Sequence, residues 1–572
     1  MTHTYDQAMS IWQDMKNERS EWESEWRDLS KYLLPGRGVY QTLSKPRKRK
    51  LSNPAVVNPA GEDALTIMVG GLHSRLTSPS LPWFTIASLD MRLKKMEMLT
   101  AYFQQCTKIL HGYFHSGNFY SIADGIYTES IGFGTGCVFV GDNTESLGNP
   151  FVFELLTAGE YYFTVGADGL VNQFIRIVFK SARQLHEMFP NKVSASSMNR
   201  LNDNSSGADV VDIPIMEFVT NVEKYRDKPI KRYFYEMNTN VSQGYGSGGK
   251  DIKPLKVDGF YEMPYKIVRT STIGSDIYGI GQGSRALNDI KRLQEMEKAF
   301  LMATHKTLDP PVNAPGKMRG KLNTLPGGRN YYSNPNETVN EIYNARFDFQ
   351  GVSSAIERVE MRIQKNFFND VFLTASRDPN ASPLRTGQVQ VQEQEKLVRL
   401  SPAVERYQSE LFIPMVTRCF SICRRASLFP PLSEELEDLL DEIEVTLVSP
   451  LAIAQRSIAG AGVDRFMGFV ANAAQFDQKV LDNIDGDKAV RQRADLEGVD
   501  IGILRPETEV LKLRQEREEQ QKAAEEKAKN QQEQAYNLQA EGVDADTRNT
   551  NAQTGQVLAE TQQTQGESTL YQ

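Results

Sequence analysis

Two long helix-periodic stretches, separated by a segment that cannot be helical, constrain this chain more than any other feature. From residue 283, Ala286, Ile290, Leu293, Met296, Phe300 and Ala303 recur every three or four residues, the spacing that gathers side chains on one face of an α-helix. A helix over 283–306 would be about 36 Å long at 1.5 Å per residue. Residues 307–338 then carry Pro310, Pro311, Pro315, Pro326 and Pro335 among several glycines, which ends any helix. A second run, Val352, Ile356, Val359, Ile363, Phe367 and Val371, predicts a helix over about 352–373. Each helix has one apolar face, so the two must pack on each other or on other partners.

The rest of the chain changes character around this pair. Residues 5–34 predict a helix with Trp12, Met15, Trp22, Trp26, Leu29 and Leu33 on one side, stopped by Pro35 and Gly36. Further helical segments are expected over 58–76 and about 92–115, with a turn-rich stretch before Trp83 and Phe84. Between Phe133 and Phe179 short β-branched and aromatic runs alternate with Gly, Asp and Asn, which predicts strands. More strands are expected at 214–223, 231–236 and 256–268, with a Gly/Ser-rich loop at 240–251. After the second long helix, a polar loop at 374–386 leads into a helical run over 387–426, where Pro402 and Pro414 predict a kink or break. An acidic helix and a short strand follow over 434–448, then helix to about 500. Residues 506–566 are rich in Gln, Glu, Lys and Ala. They read as helical or coiled-coil at their start and disordered near their end.

With 572 residues, the chain has room for three or four domains. No stretch approaches the roughly 18 consecutive apolar residues of a membrane span, and the polar N-terminus lacks a secretory signal's apolar core, so a cytoplasmic origin is expected. Four cysteines, Cys106, Cys137, Cys419 and Cys423, are too few for a disulfide scaffold or a four-ligand zinc site, and read as reduced packing residues. The formal net charge is −8. A protein that grips DNA tightly is normally basic; an acidic balance suits a surface that DNA passes without adhering.

Catalytic patterns are weak. Residues 244–250 match a phosphate-binding loop as far as Lys250, but Asp251 stands where magnesium binding needs Ser or Thr. A flexible loop is the better reading. Gly281, Gly283 and Ala286 imitate a dinucleotide fingerprint at a helix start, with no βαβ unit around them; tight-turn glycines account for them. His111 and His115 lie one helical turn apart without the glutamate of a metalloprotease motif, and no nucleophile elbow is present. No catalytic residue, cofactor site or metal site is therefore expected. The strongest charge signal is the run Lys45, Arg47, Lys48, Arg49 and Lys50. It reads as a solvated loop, a contact with an acidic neighbouring surface, or a contact with nucleic acid.

Several longer motifs resemble one family. They are ERSEWESEWRDLSKYLLPG, NPAGEDALTIMVGGLHSRLTSPSLPWF, SGNFYSIADGIYTESIGFGTGCVFV, RTSTIGSDIYGIGQGSRALNDIKRLQEMEKAFLMATHKTLDPPV, LRTGQVQVQEQEKLVRLSPAVERYQSELFIPMVTRCF and LVSPLAIAQRS. In this order they resemble the portal, or head-to-tail connecting, proteins of short-tailed bacteriophages over roughly 10–460. The chain departs from that pattern at Gly387, where the family usually has Ala, at Gln388 in place of Glu, and at Gln294 in place of Asn. The resemblance implies an α+β portal fold. Its parts would be N-terminal helices and a strand-rich wing over 1–282, stem helices at 283–306 and 351–373, and a clip at 307–350. A tunnel loop at 374–386, a kinked wing helix at 387–426, a wing and crown region at 427–505 and a helical barrel or disordered tail at 506–572 would complete it.

The same resemblance implies a non-enzymatic ring, usually of twelve subunits, at one capsid vertex of the virion, assembled in the host cytoplasm. Implied partners are terminase, tail adaptor proteins, scaffolding and capsid proteins, and double-stranded DNA bound without sequence preference; no membrane is implied. Arg377 and Arg385 in the loop, and Lys317, Arg319, Lys321 and Arg329 in the clip, are candidate contacts to DNA, although a salt bridge between subunits would use the same cations. Two other readings remain from the residues alone. One is a nucleotide-using packaging enzyme built on 244–250; the other is a coiled-coil scaffolding or adaptor protein built on the tail.

Overall fold

A computed structural model describes residues 4–38, 55–90, 96–143, 148–167, 169–190, 192–202, 208–221, 228–237, 252–313, 323, 328, 329, 331, 339–341, 348–373, 400–431, 443–448, 450–475, 484–496, 505 and 507–567. The chain divides into two compact units, Met1–Gly462 and Val463–Gln572.

The first unit opens with α1 (Tyr5–Tyr32), α2 (Ala60–Leu76), β1 (Phe84–Ser88), α3 (Glu97–Ser116) and α4 (Phe119–Phe133). The spacing of apolar residues did not predict α4, for a physical reason. Residues 125–133 are buried without interruption, and a helix buried all round has no polar face to give it a period. A strand-rich stretch follows: β2 (Thr135–Asp142), β3 (Phe151–Leu156), β4 (Tyr161–Val165), β5 (Val171–Lys180), α5 (Ala182–Met188), α6 (Ala195–Asn202), β6 (Ile213–Asn221), β7 (Ile230–Glu236), β8 (Lys256–Phe260) and β9 (Tyr265–Arg269). These strands form a five-stranded sheet in the order β4-β5-β6-β7-β8 and a three-stranded sheet β3-β2-β9. Every pairing in both sheets is antiparallel, so helix and sheet segregate rather than alternate.

One face of the larger sheet is covered by the first half of α1, where Tyr5, Ala8, Trp12 and Met15 pack on Tyr162, Ile175, Ile177, Met216, Phe218, Tyr233 and Tyr235. The second half of α1 turns Trp26 and Leu29 into the main core. Arg19 sits where the helix passes from one core to the other and is 1% exposed. Its guanidinium donates to the carbonyls of Gly159 and Tyr161 and to the Tyr162 hydroxyl, and pairs with Glu23 at 2.6 Å. A buried charge is tolerable when its donors are met in this way.

The helical part comprises α7 (Gln282–Leu308), α8 (Phe349–Asn366) and α9 (Asn369–Phe372), with a small antiparallel pair, β10 (Val312–Asn313) and β11 (Asn340–Glu341), between the first two. The long run expected over 352–373 breaks at Phe368, which adopts a left-handed conformation at φ 53°. Its apolar face is nevertheless as the spacing predicts, with Ile356, Val359, Ile363, Phe367 and Val371 all buried. Then come α10 (Ser401–Arg406), a π turn (Tyr407–Phe412), α11 (Ile413–Arg425) and β12 (Ile443–Leu447). Pro402 lies at the N-terminus of α10 and Pro414 at that of α11, so one proline starts a helix and the other follows the wide turn. β12 pairs antiparallel with β1, more than 350 positions earlier.

α12 (Pro450–Ala474) contains the boundary between the units. In the second unit, α13 (Gly486–Leu496) is tied to α14 (Glu507–Glu567) by a two-pronged pair between Arg514 and Asp487 at 2.6 and 2.7 Å. α14 runs from Glu507 to Glu567. Its first half, to about residue 540, is rich in Ala, Gln, Glu, Lys and Arg, all strong helix formers.

Candidate functional site

The long helices α7 and α8 form the structural centre of the candidate site. They pack along Ala286, Ile290 and Leu293 on one side and Ile356, Val359 and Ile363 on the other, all inside the main core. At about 40 Å for 27 residues, α7 outruns this contact. Beyond Leu293 burial fades, and Leu301, Met302 and Leu308 are 44%, 58% and 78% exposed. On α8, Met361 is exposed as well, but within the embedded half, between Glu360 of the Asn58 contact and Arg362, which pairs with Asp289 of α7 at 3.7 Å. The proximal half of the pair is thus embedded, and the distal end of α7 presents apolar side chains to solvent.

A polar clamp fixes the embedded half. Gln294, itself 1% exposed, accepts from the N–H groups of Val57 and Asn58 at 2.7 and 2.9 Å and donates back to the Asn58 carbonyl at 2.8 Å. The Asn58 amide donates to Glu297 of α7 at 3.0 Å and to Glu360 of α8 at 2.7 Å. One asparagine therefore bridges both helices, and the longer glutamine at 294 is what reaches its backbone.

The start of α7 is held by interlocked glycines. Gly134, at φ 88°, lies against Gly279 and Gly281, and Gly283 lies against Gly132. A Cβ on Gly134 would overlap the Gly279 carbonyl, and one on Gly281 would come within 2.7 Å of the Gly134 nitrogen. Gly279 N–H donates to the Thr135 hydroxyl at 2.9 Å. The space that a dinucleotide pyrophosphate would need is filled by the chain's own backbone. Gly281 and Gly283 read in the sequence as tight-turn glycines; that Gly132 and Gly134 are their partners was not readable from either stretch.

The remaining candidates divide plainly. Arg329 is described and exposed. Arg377, Arg385, Lys317, Arg319 and Lys321, the basic run Lys45, Arg47, Lys48, Arg49 and Lys50, and the loop at 244–250 lie outside the described residues. His111 is a core residue: its ring stacks on Phe84 at 4.1 Å, bonds the Phe84 carbonyl, and burial lowers its pKa. All four cysteines are buried and free; burial raises Cys106 to about 11 and Cys423 to about 12, which makes them inert thiols. Glu129, fully buried, accepts from Thr157, Ala158 N–H and Arg37; burial raises its pKa against those partners. Among the described residues no group of three or more His, Cys, Asp or Glu is placed to hold a metal, and no helix is long and apolar enough to cross a membrane.

Comparison with known proteins finds a matching family and relatives. The family model described as bacteriophage head to tail connecting protein matches residues 5–504. A probable portal protein of Bordetella phage BPP-1 is 28% identical over 520 residues, covering 90% of this chain and 91% of that protein. A portal protein of Salmonella phage epsilon15 is 26% identical over 519 residues, covering 89% and 90%. Among solved structures, a chain from the virion of a native gene transfer agent particle aligns over 71% of this chain and 86% of its own, at 10% identity and a TM-score of 0.31.

Proposed function

Since this chain belongs to the bacteriophage head to tail connecting protein family, we propose that it closes into a ring, with twelve the expected number of copies, at one vertex of the capsid, and that DNA passes through the ring during packaging and ejection. In this reading the distal halves of α7 and α8 are stem surfaces that pack on neighbouring copies, and residues 307–350 are the clip that docks tail adaptors. Terminase, scaffolding and capsid proteins are further partners, and the role is structural rather than enzymatic.

The observation that carries the proposal is the exposed apolar end of α7, whose other end is buried with α8. A closed ring needs one surface that fits a different surface of the next copy, and side chains such as Leu301, Met302 and Leu308 gain from leaving water. The net charge of −8 suits a channel that DNA must traverse. Within it, Arg377, Arg385, Lys317, Arg319, Lys321 and Arg329 are the proposed local contacts to phosphate, and the run at 45–50 a contact patch.

Single-particle electron microscopy of the purified protein tests this. Closed rings with a central channel are expected, and their symmetry gives the copy number. Monomers that never close, at high concentration or with scaffolding protein present, would reject the proposal and favour an adaptor role.

A further inference from the structure

The helical path from Ser401 to Arg425 continues through the π turn at Tyr407–Phe412, where Ile413 N–H donates to the Gln408 carbonyl five residues back. Pro414 accounts for the turn. Proline lacks an N–H, and its ring collides with the carbonyl four residues earlier in a straight α-helix. Widening the preceding turn makes room for the ring; bending sharply at the proline is the other solution. A sequence with proline at this position therefore has two helical states available.

Glu410, inside the turn, is held by several partners in the wide-turn state. Its carboxylate accepts from the Arg269 N–H at 2.8 Å, from Arg269 Nη2 at 2.8 Å and from Arg406 Nη1 at 3.1 Å. Arg406 also donates to the Thr272 hydroxyl at 2.7 Å. The Tyr407 hydroxyl bonds that of Ser130, and the Ser130 carbonyl accepts from Thr270 at 2.5 Å. Residues 406, 407 and 410 thus grip the segment 269–272, directly or through Ser130. That segment leads from β9 through the interlocked glycines into α7. Arg269 and Glu410 are 13% and 15% exposed, so water screens their attraction only weakly.

We propose that the π turn and the segment 269–272 form a two-position joint, in which Glu410 and Arg406 latch the helix in its wide-turn state and carry any conversion to a sharp bend into the start of α7. The coupling runs through one contiguous set of hydrogen bonds, and both ends can be observed separately.

Hydrogen–deuterium exchange on the full-length protein and on Glu410→Gln tests it. The variant is expected to exchange about tenfold faster over 407–416, and several-fold faster over 279–287, with the β1–β12 amides unchanged as the internal reference. Acceleration confined to 407–416 would overturn the coupling. No acceleration at either place would overturn the latch, leaving burial of Tyr407, Leu411 and Phe412 as what holds the turn. Should Glu410→Gln not fold, Thr272→Val removes one acceptor while keeping the side-chain shape; faster exchange over 279–287 is then expected, and unchanged exchange there overturns the coupling.

Discussion

Lys266 lies on β9 with its amine among Arg418, Glu262 and Cys419, and burial, reinforced by Arg418 and opposed by Glu262, lowers its pKa to about 7. The sign of the consequence follows from which state holds the proton. An unfolded lysine keeps its proton up to about pH 10.4, whereas the folded one gives it up near 7. Folding therefore loses stability as pH falls from that upper value towards 7, and the loss levels off below it. Lys266→Met is expected to raise the melting temperature at pH 7, by an amount equivalent to a few kcal/mol in order of magnitude. That gain is expected to shrink steadily as melts are repeated towards pH 10. A gain that stays constant with pH would mean the amine remains charged in the fold. Single residues such as this one are where the sequence is least informative. Lys266 reads as an ordinary strand lysine, and only the approach of α11, brought in by contacts far along the chain, removes its water. Gln294 is a similar case: as a departure from the family pattern it was visible, but its grip on Val57 and Asn58 depends on a segment more than 230 positions away.

Among whole elements, legibility follows the solvent. α1, α7 and α8 have one wet and one dry face, so their apolar period announced them, as did the alternating strands β3 and β5. α4 is dry on all sides from Gly125 to Phe133 and β1 hides in a turn-rich stretch; neither stretch carries a period of its own, and β1 becomes a strand only because β12 pairs with it. The same logic picks out what is unusual in α7. Its apolar residues continue past Leu293, and while Met296 and Phe300 still pack on the core, Leu301, Met302 and Leu308 are exposed. Replacing Leu301 and Met302 together by Asp is expected to leave the melting temperature of the isolated subunit nearly unchanged, because exposed positions contribute little to folding. Ring formation, followed by light scattering after size exclusion, is expected to fail. Normal rings from this variant would move the subunit contact elsewhere.

For the molecule as a whole, charge and length set the terms. A chain with 73 acidic and 65 basic residues presents phosphate with a mildly repulsive average, against which a few cations can act as local brakes. Reversing charge at Arg377 and Arg385 is expected to shorten the DNA retained in filled heads, read as packaged length by gel electrophoresis. Unchanged length and retention would remove these two residues from the channel. The long polar helix α14 shows a limit of composition as a guide: among its described side chains nearly all are exposed, yet it is helical from Glu507 to Glu567.

The glycines that seat α7 carry a genetic consequence. At most protein contacts a harmful substitution can be rescued by a compensating change in the opposing side chain. Here the nearest opposing atoms are largely main chain on both sides, and no codon alters a carbonyl oxygen or an amide nitrogen. A lineage that replaces Gly134, Gly279 or Gly281 with anything larger therefore finds little across the junction to mutate in compensation. Reversion is the main road back, and second-site suppressors of such lesions should be correspondingly scarce in this junction.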